Sequence, residues 1–249
     1  KKEGTNWIGF VCNYDQLVRL NFGTSLKNIP TITLIGPVPD LEMAHGFLLI
    51  NENGTWTGLI TCSIGNRLVR LHFGNSLLNT PTFENLGTVG GLNSPGQFAH
   101  IIDNGINYIF AVNLQNSTVS RLNFGNSINN MPTGVNLGVV CGTLAMGITI
   151  LRDCGSIHGF ITRYINSSAS GDLLWKITFP DGITGPMVTQ SLGNTGALER
   201  PCLFSELFRE DDNLFSYVSN RGNGTRTLLP FATCTNATPP SSNTFNPPV

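Results

Sequence analysis

Leu68-Val69-Arg70-Leu71-His72-Phe73-Gly74 decides the fold, because the chain contains this stretch three times. It recurs as Leu17-Val18-Arg19-Leu20-Asn21-Phe22-Gly23 and as Val119-Ser120-Arg121-Leu122-Asn123-Phe124-Gly125. Arg19, Arg70 and Arg121 keep a constant spacing of 51 residues, as do Pro30, Pro81 and Pro132, and Gly36, Gly87 and Gly138. A diverged fourth copy is Leu174-Trp175-Lys176-Ile177-Thr178-Phe179-Pro180. A fainter fifth runs Thr225-Arg226-Thr227-Leu228-Leu229-Pro230-Phe231. Within each copy the apolar residues alternate, which is the period of a strand. Val69, Leu71 and Phe73 therefore share one face, with Arg70 and His72 on the other. A one-residue slip would expose the whole apolar set, so the register is strongly specified.

Working outward, each repeat divides into four short runs separated by turn residues. In the second repeat these are residues 44–51, 55–62, 68–74 and 81–87, with Asn53-Gly54 and Gly65-Asn66 between them. A repeat near 50 residues built only of strand-like runs predicts an all-β β-propeller, one four-stranded blade per repeat. Five blades are expected over residues 1–234, with six the alternative. Residues 235–249 read as a Pro/Ser/Thr/Asn-rich linker or edge segment, in which 245–249 could add a strand. The first blade lacks a counterpart of 44–51, so ring closure is expected to be incomplete, with a segment upstream of Lys1 supplying a closing strand. Lys1-Lys2-Glu3-Gly4 opens directly into a turn, as expected of a mature product or a fragment. The only weak helical pattern is 203–208.

Composition narrows the function. Of 249 residues only 12% are charged and 40% are hydrophobic, which excludes a highly charged disordered chain. The formal net charge is −1 and no basic stripe is present, which argues against nucleic-acid partners. No apolar run approaches the ~20 residues of a membrane-spanning helix. The six cysteines, Cys12, Cys62, Cys141, Cys154, Cys202 and Cys234, show no metal-ligand spacing, and no disulfide pairing follows from them. No cofactor and no metal are called for. Asn-x-Ser/Thr sequons begin at Asn53, Asn116, Asn166, Asn223 and Asn236.

Arg70-Leu71-His72-Phe73-Gly74-Asn75-Ser76-Leu77-Leu78-Asn79-Thr80-Pro81-Thr82, closing in Asn85-Leu86-Gly87, resembles a repeat of large secreted surface proteins of Bacteroidota. These carry PKD modules and gliding-motility or type IX secretion C-terminal domains. The resemblance implies a propeller of the NHL/YVTN kind in an exported, extracellular or cell-surface protein, with other domains of the same parent chain as neighbours. It implies no established activity. Where Asp is expected after Arg-Leu, this chain has Asn21, His72 and Asn123, which argues against repeated calcium ligation there.

The candidate site residues are Asn51, Asp103 and Asp153, aligned at the ends of first strands with Glu210 a looser match. If those strands line the channel, these groups ring one mouth of it and could contact a ligand. Turn chemistry at Asp103-Asn104-Gly105 and Asp153-Cys154-Gly155 explains the same acids. Arg19, Arg70, Arg121 and Lys176 are expected to cover neighbouring blades rather than to converge on an anion. Trp7, Trp56 and Tyr108 could stack on sugars or wedge between blades. His45 and His100 fall near equivalent places in first strands. No nucleophile motif is present. The reading is a non-catalytic adhesion or binding propeller for polysaccharide or another surface component. The alternatives are a structural spacer or part of a filament or secretion-linked assembly, and a glycoside-active enzyme with Asp103 and Asp153 as its acids.

Overall fold

A computed structural model describes residues 1–153, 155–165, 171–195, 197–210, 213–231 and the strand 243–245. It contains five antiparallel sheets arranged as the blades of a β-propeller. Blade 1 is β1 (Lys2–Glu3), β2 (Asn6–Asn13), β3 (Gln16–Gly23) and β4 (Thr31–Pro37). Blade 2 is β5 (Ala44–Glu52), β6 (Thr55–Cys62), β7 (Arg67–Gly74) and β8 (Thr82–Gly87). Blade 3 is β9 (Pro95–Asp103), β10 (Ile106–Asn113), β11 (Thr118–Gly125) and β12 (Thr133–Val139). Blade 4 is β13 (Ala145–Asp153), β14 (Ser156–Arg163), β15 (Leu174–Phe179) and β16 (Val188–Ser191). Blade 5 has a broken inner strand, β17 (Pro201–Phe204) and β18 (Phe208–Glu210), then β19 (Asn213–Asn220), β20 (Thr225–Phe231) and β21 (Asn243–Phe245).

The strand borders follow the turn residues closely. Glu52 pairs Thr55 and Asp103 pairs Ile106, leaving the two-residue loops Asn53-Gly54 and Asn104-Gly105. Both residues of each loop have positive φ, 51° and 84° in one and 49° and 77° in the other. That is the hairpin turn whose twist matches the strands, and Asn-Gly adopts it with least strain. The 203–208 stretch is not helical. It runs from the end of β17 through the break at 205–207 into β18, since one turn of apolar periodicity cannot outweigh strand pairing with β19. β21 lies within 235–249 and pairs with β20, Arg226 facing Phe245.

The core lies between blades. Val69, Leu71 and Phe73 are buried against blade 1, in a cluster with Ile8, Leu17 and Leu49. Leu68 and Leu59 face the other way, into a cluster with Ile109, Leu122 and Ile128 of blade 3. Blades 3 and 4 share Phe110, Ile148 and Phe179, and blades 4 and 5 share Phe160, Phe204 and Phe231. Each buried Leu, Ile or Phe contributes roughly 1.5–3 kcal/mol, so these four seams hold the ring. Among the described residues no such cluster joins blade 5 to blade 1. There the salt bridge from Lys1 Nζ to Glu206 Oε1, 2.6 Å, spans the two. The inner strand of blade 1 is the two-residue stub β1, against nine residues in β5, β9 and β13.

Candidate functional site

The inner strands surround a cavity of about 410 Å³ at the hub of the ring. Its wall comes from Phe47 and Leu48 of β5, Gln97 to His100 of β9, Ile148 to Ile150 of β13, and Phe204 to Leu207. Gln97 ties three blades together across the hub. Its Oε1 accepts from the backbone N–H of Ile148 at 3.1 Å and of Phe204 at 2.9 Å, and its Nε2 donates to Phe204 O at 2.7 Å. His100 Nε2 is 2.9 Å from Asn107 Oδ1. Burial lowers the His100 pKa below its ordinary value, against smaller upward effects of Asn107 and Glu52. Because an amide oxygen only accepts, the ring donates its Nε2–H to it. Glu206 is the carboxylate on the cavity wall, and it is open enough to meet a ligand from solvent. It was missed in the sequence because its neighbours read as weakly helical. The available signal was its position inside an inner-strand run rather than at its end.

The mouth acids have a different setting from the one the sequence suggested. Register places Glu3 opposite Asn6, Glu52 opposite Thr55, Asp103 opposite Ile106, Asp153 opposite Ser156 and Glu210 opposite Asn213. Every blade thus ends its inner strand in an acid, and the counterpart of Asp103 is Glu52. Asn51 is one residue out of line, so its side chain lies on the opposite face. Its Oδ1 accepts from Gly54 N at 3.1 Å, which is turn chemistry. Asp103 forms a short ion pair with Arg152. Asp153 lies near His158, whose pKa it raises against the larger lowering by burial and that of Lys176.

Two of these acids grip the next blade. Glu3 accepts from Ser76 Oγ at 3.0 Å and Leu77 N at 3.1 Å. Glu52 accepts from Ser127 Oγ at 2.6 Å and Ile128 N at 2.9 Å, at the equivalent turn one blade on. The repeated arginines hold the same turns from their carbonyl side. Arg19 Nη1 donates to Leu78 O at 2.5 Å, and Arg70 Nη1 to Asn129 O at 2.8 Å with Nη2 on Asn130 O. Arg121 donates to Ile183 O of blade 4. Each guanidinium thus serves its own seam, and the arginines do not converge on one anion.

The remaining candidates are mostly packing. Tyr108 is buried and Trp56 is partly buried in the blade seams, while Lys2 Nζ lies 5.7 Å from the Trp7 ring centroid. His45 aligns with Gly96, and His100 with Leu49, so the two are not equivalent. Cys12, Cys62, Cys141 and Cys202 are free thiols. Burial, then the nearby Cys62, pushes the Cys12 pKa up to about 12. Cys154, Cys234, Asn166 and Asn236 lie outside the described residues. Among the described residues no group of three or more His, Cys, Asp and Glu is placed to hold a metal.

No family model and no curated protein matches the chain. Solved structures do. An α-L-arabinofuranosidase from Podospora anserina, in complex with cellotriose, is 19% identical with a TM-score of 0.55, over 83% of this chain and 70% of that one. A GH43 β-1,3-galactosidase is 11% identical with a TM-score of 0.58, over 92% of this chain and 55% of that one. The chain therefore spans about half the length of that enzyme. A second, solved with galactodeoxynojirimycin, is 9% identical with a TM-score of 0.61, over 92% and 88%. At such identities the likeness is one of fold. It nevertheless corrects the expectation of a non-catalytic adhesion propeller that is not an enzyme. That expectation rested on the absence of a catalytic constellation, the low charge and the resemblance to secreted repeat proteins.

Proposed function

We propose that the protein is a glycoside-active enzyme that binds an oligosaccharide or polysaccharide at the hub cavity. The observation that carries this reading is a carboxylate, Glu206, on the wall of a 410 Å³ cavity at the centre of a five-bladed ring. The similar structures named above are glycosidases. Glycoside hydrolysis uses two carboxyl groups, one as proton donor and the other as nucleophile or as base for water. Glu206 is the candidate for one of these roles, and Asp103 and Asp153 are the candidates for the other, each three residues, or ~10 Å of extended strand, beyond His100 and Ile150 on the cavity wall. The half-buried Phe47 offers an apolar surface for a sugar ring, and the second N–H of the Gln97 amide offers a donor. An exported setting, implied by the repeat resemblance, suits a polysaccharide substrate.

The test is release of nitrophenol from α-L-arabinofuranoside, β-D-xyloside and β-D-galactoside substrates, together with arabinan and galactan. Turnover that falls at least 100-fold in Glu206→Gln, with a further loss in Asp103→Asn or Asp153→Asn, is the expected result. No turnover from folded protein on any of these, or turnover untouched by all three substitutions, overturns it.

A further inference from the structure

Three turns in this chain share one internal construction, and only two of them are gripped. In Ser76–Asn79 the Asn79 N–H donates to Ser76 O at 3.1 Å and Asn79 Nδ2 donates to Phe73 O at 2.8 Å. In Ser127–Asn130 the corresponding distances are 3.1 and 2.9 Å. In Ser25–Asn28 of blade 1 they are 3.0 and 2.9 Å. All three turns are therefore preformed. The first two have a carboxylate on the Ser hydroxyl and the following N–H, and a guanidinium on the carbonyls. Among the described residues the turn of blade 1 has neither.

The apolar face beside that turn shows the same vacancy. Leu77 and Ile128 are each 0% exposed, whereas their counterpart Leu26 is 57% exposed. Val11 is 46% exposed and its counterpart Ile60 is 0%. Leu20 and Phe22 are half-buried, against buried Leu71 and Phe73. Blade 5, the neighbour on this side, ends its inner strand in an acid, Glu210, but lacks the arginine at the gripping position. Pairing opposite Tyr217 puts Leu228 where the other blades carry Arg19, Arg70 and Arg121. Residues 232–249 contain no Asp, Glu, Lys or Arg.

We propose that this face of blade 1 is a docking site for a blade unit outside these five. Such a unit would carry an acid at the end of its inner strand and an arginine on its third strand. The carboxylate would accept from Ser25 Oγ and Leu26 N, the guanidinium would donate to the carbonyls of residues 26–28, and Leu26 would close under it. The occupant's chemistry is set by the two seams in which the same turn is already filled. Matching charge groups on a preformed turn also lower the ordering entropy of binding.

The probe is a synthetic peptide of residues 46–74, which holds Glu52 and Arg70 in their native order, added to the intact chain. Saturable binding is expected, weakened at least tenfold by Leu26→Asp in the protein and by E52Q with R70Q in the peptide. Because the peptide alone is a weak folder, the same segment is also joined to Lys1 through a flexible linker, which raises its effective concentration. Hydrogen exchange at the Leu26 amide is then expected to slow at least tenfold. Absence of both effects, or binding indifferent to Leu26→Asp, overturns the proposal. Self-association of the chain that disappears in Leu26→Asp would assign the face to a second copy and would also overturn it.

Discussion

Glu52→Ala separates a structural acid from a ligand-binding one. The substitution removes the acceptor for Ser127 Oγ at 2.6 Å and Ile128 N at 2.9 Å, and a longer contact from Asn107 Nδ2 at 3.3 Å. A hydrogen bond to a charged group contributes roughly 1.5–3 kcal/mol. Water can reach the half-buried Ser127 hydroxyl and replace part of that, so the expected loss is about 2 kcal/mol. In a domain of this size this lowers Tm by about 4–8 °C. Glu52→Gln retains one acceptor oxygen but presents an N–H₂ where the second stood, and about half the loss is expected. Urea unfolding of Glu52→Ala, Ser127→Ala and the double variant gives the coupling, expected near 1 kcal/mol. Asn51→Ala is the control, since it loses only an exposed turn contact and about 0.5 kcal/mol. A Glu52→Ala protein within about 0.5 kcal/mol of the parent, or strict additivity with Ser127→Ala, would refute the grip. A gain in stability would point instead to a carboxylate held for function.

Two further outcomes follow from the packing and the titrating groups. Gly147→Ala should lower stability by about 1–3 kcal/mol, because its Cβ would stand 2.2 Å from Cys202 O, a backbone atom that cannot rotate away. Gly171→Ala meets nothing within 4 Å and should be near neutral, so equal urea midpoints for the two would contradict this account. Burial lowers the pKa of His45, His100 and His158 below their ordinary 6.5 in the folded state. The unfolded chain therefore binds more protons, and stability is full above pH 6.5 and declines as pH falls through it. The urea midpoint should be lower at pH 5.5 than at pH 7.5, less so in His45→Asn, and a flat or inverted dependence would refute the assignment.

The residues that revealed the propeller are those that make its seams. Val69, Leu71 and Phe73 alternate with Leu68 and Arg70 because one set faces the preceding blade and the other the following one. That parity is a property of a single strand, so the sequence displays it directly. The turns were equally legible, since Asn53-Gly54 adopts its positive φ values locally. The candidate site was less so. Asn51 stood beside Asp103 and Asp153 in a linear alignment. Hairpin pairing moved the equivalence to Glu52, one residue on and one face over.

By itself, the sequence determined the strand period and the turns, which depend on neighbours within a few residues, and the repeat length, which is read from the 51-residue recurrence of Arg19, Arg70 and Arg121. The tertiary structure alone decided what the charged repeats do and where a cavity forms. Glu52 and Ser127 are 75 residues apart in the chain, and Arg70 and Asn129 are 59 apart. Glu206 reaches the hub only because four inner strands from four blades meet there. A carboxylate's partners depend on which backbone amides and cations the closed packing brings within ~3 Å, and no local pattern records that distance.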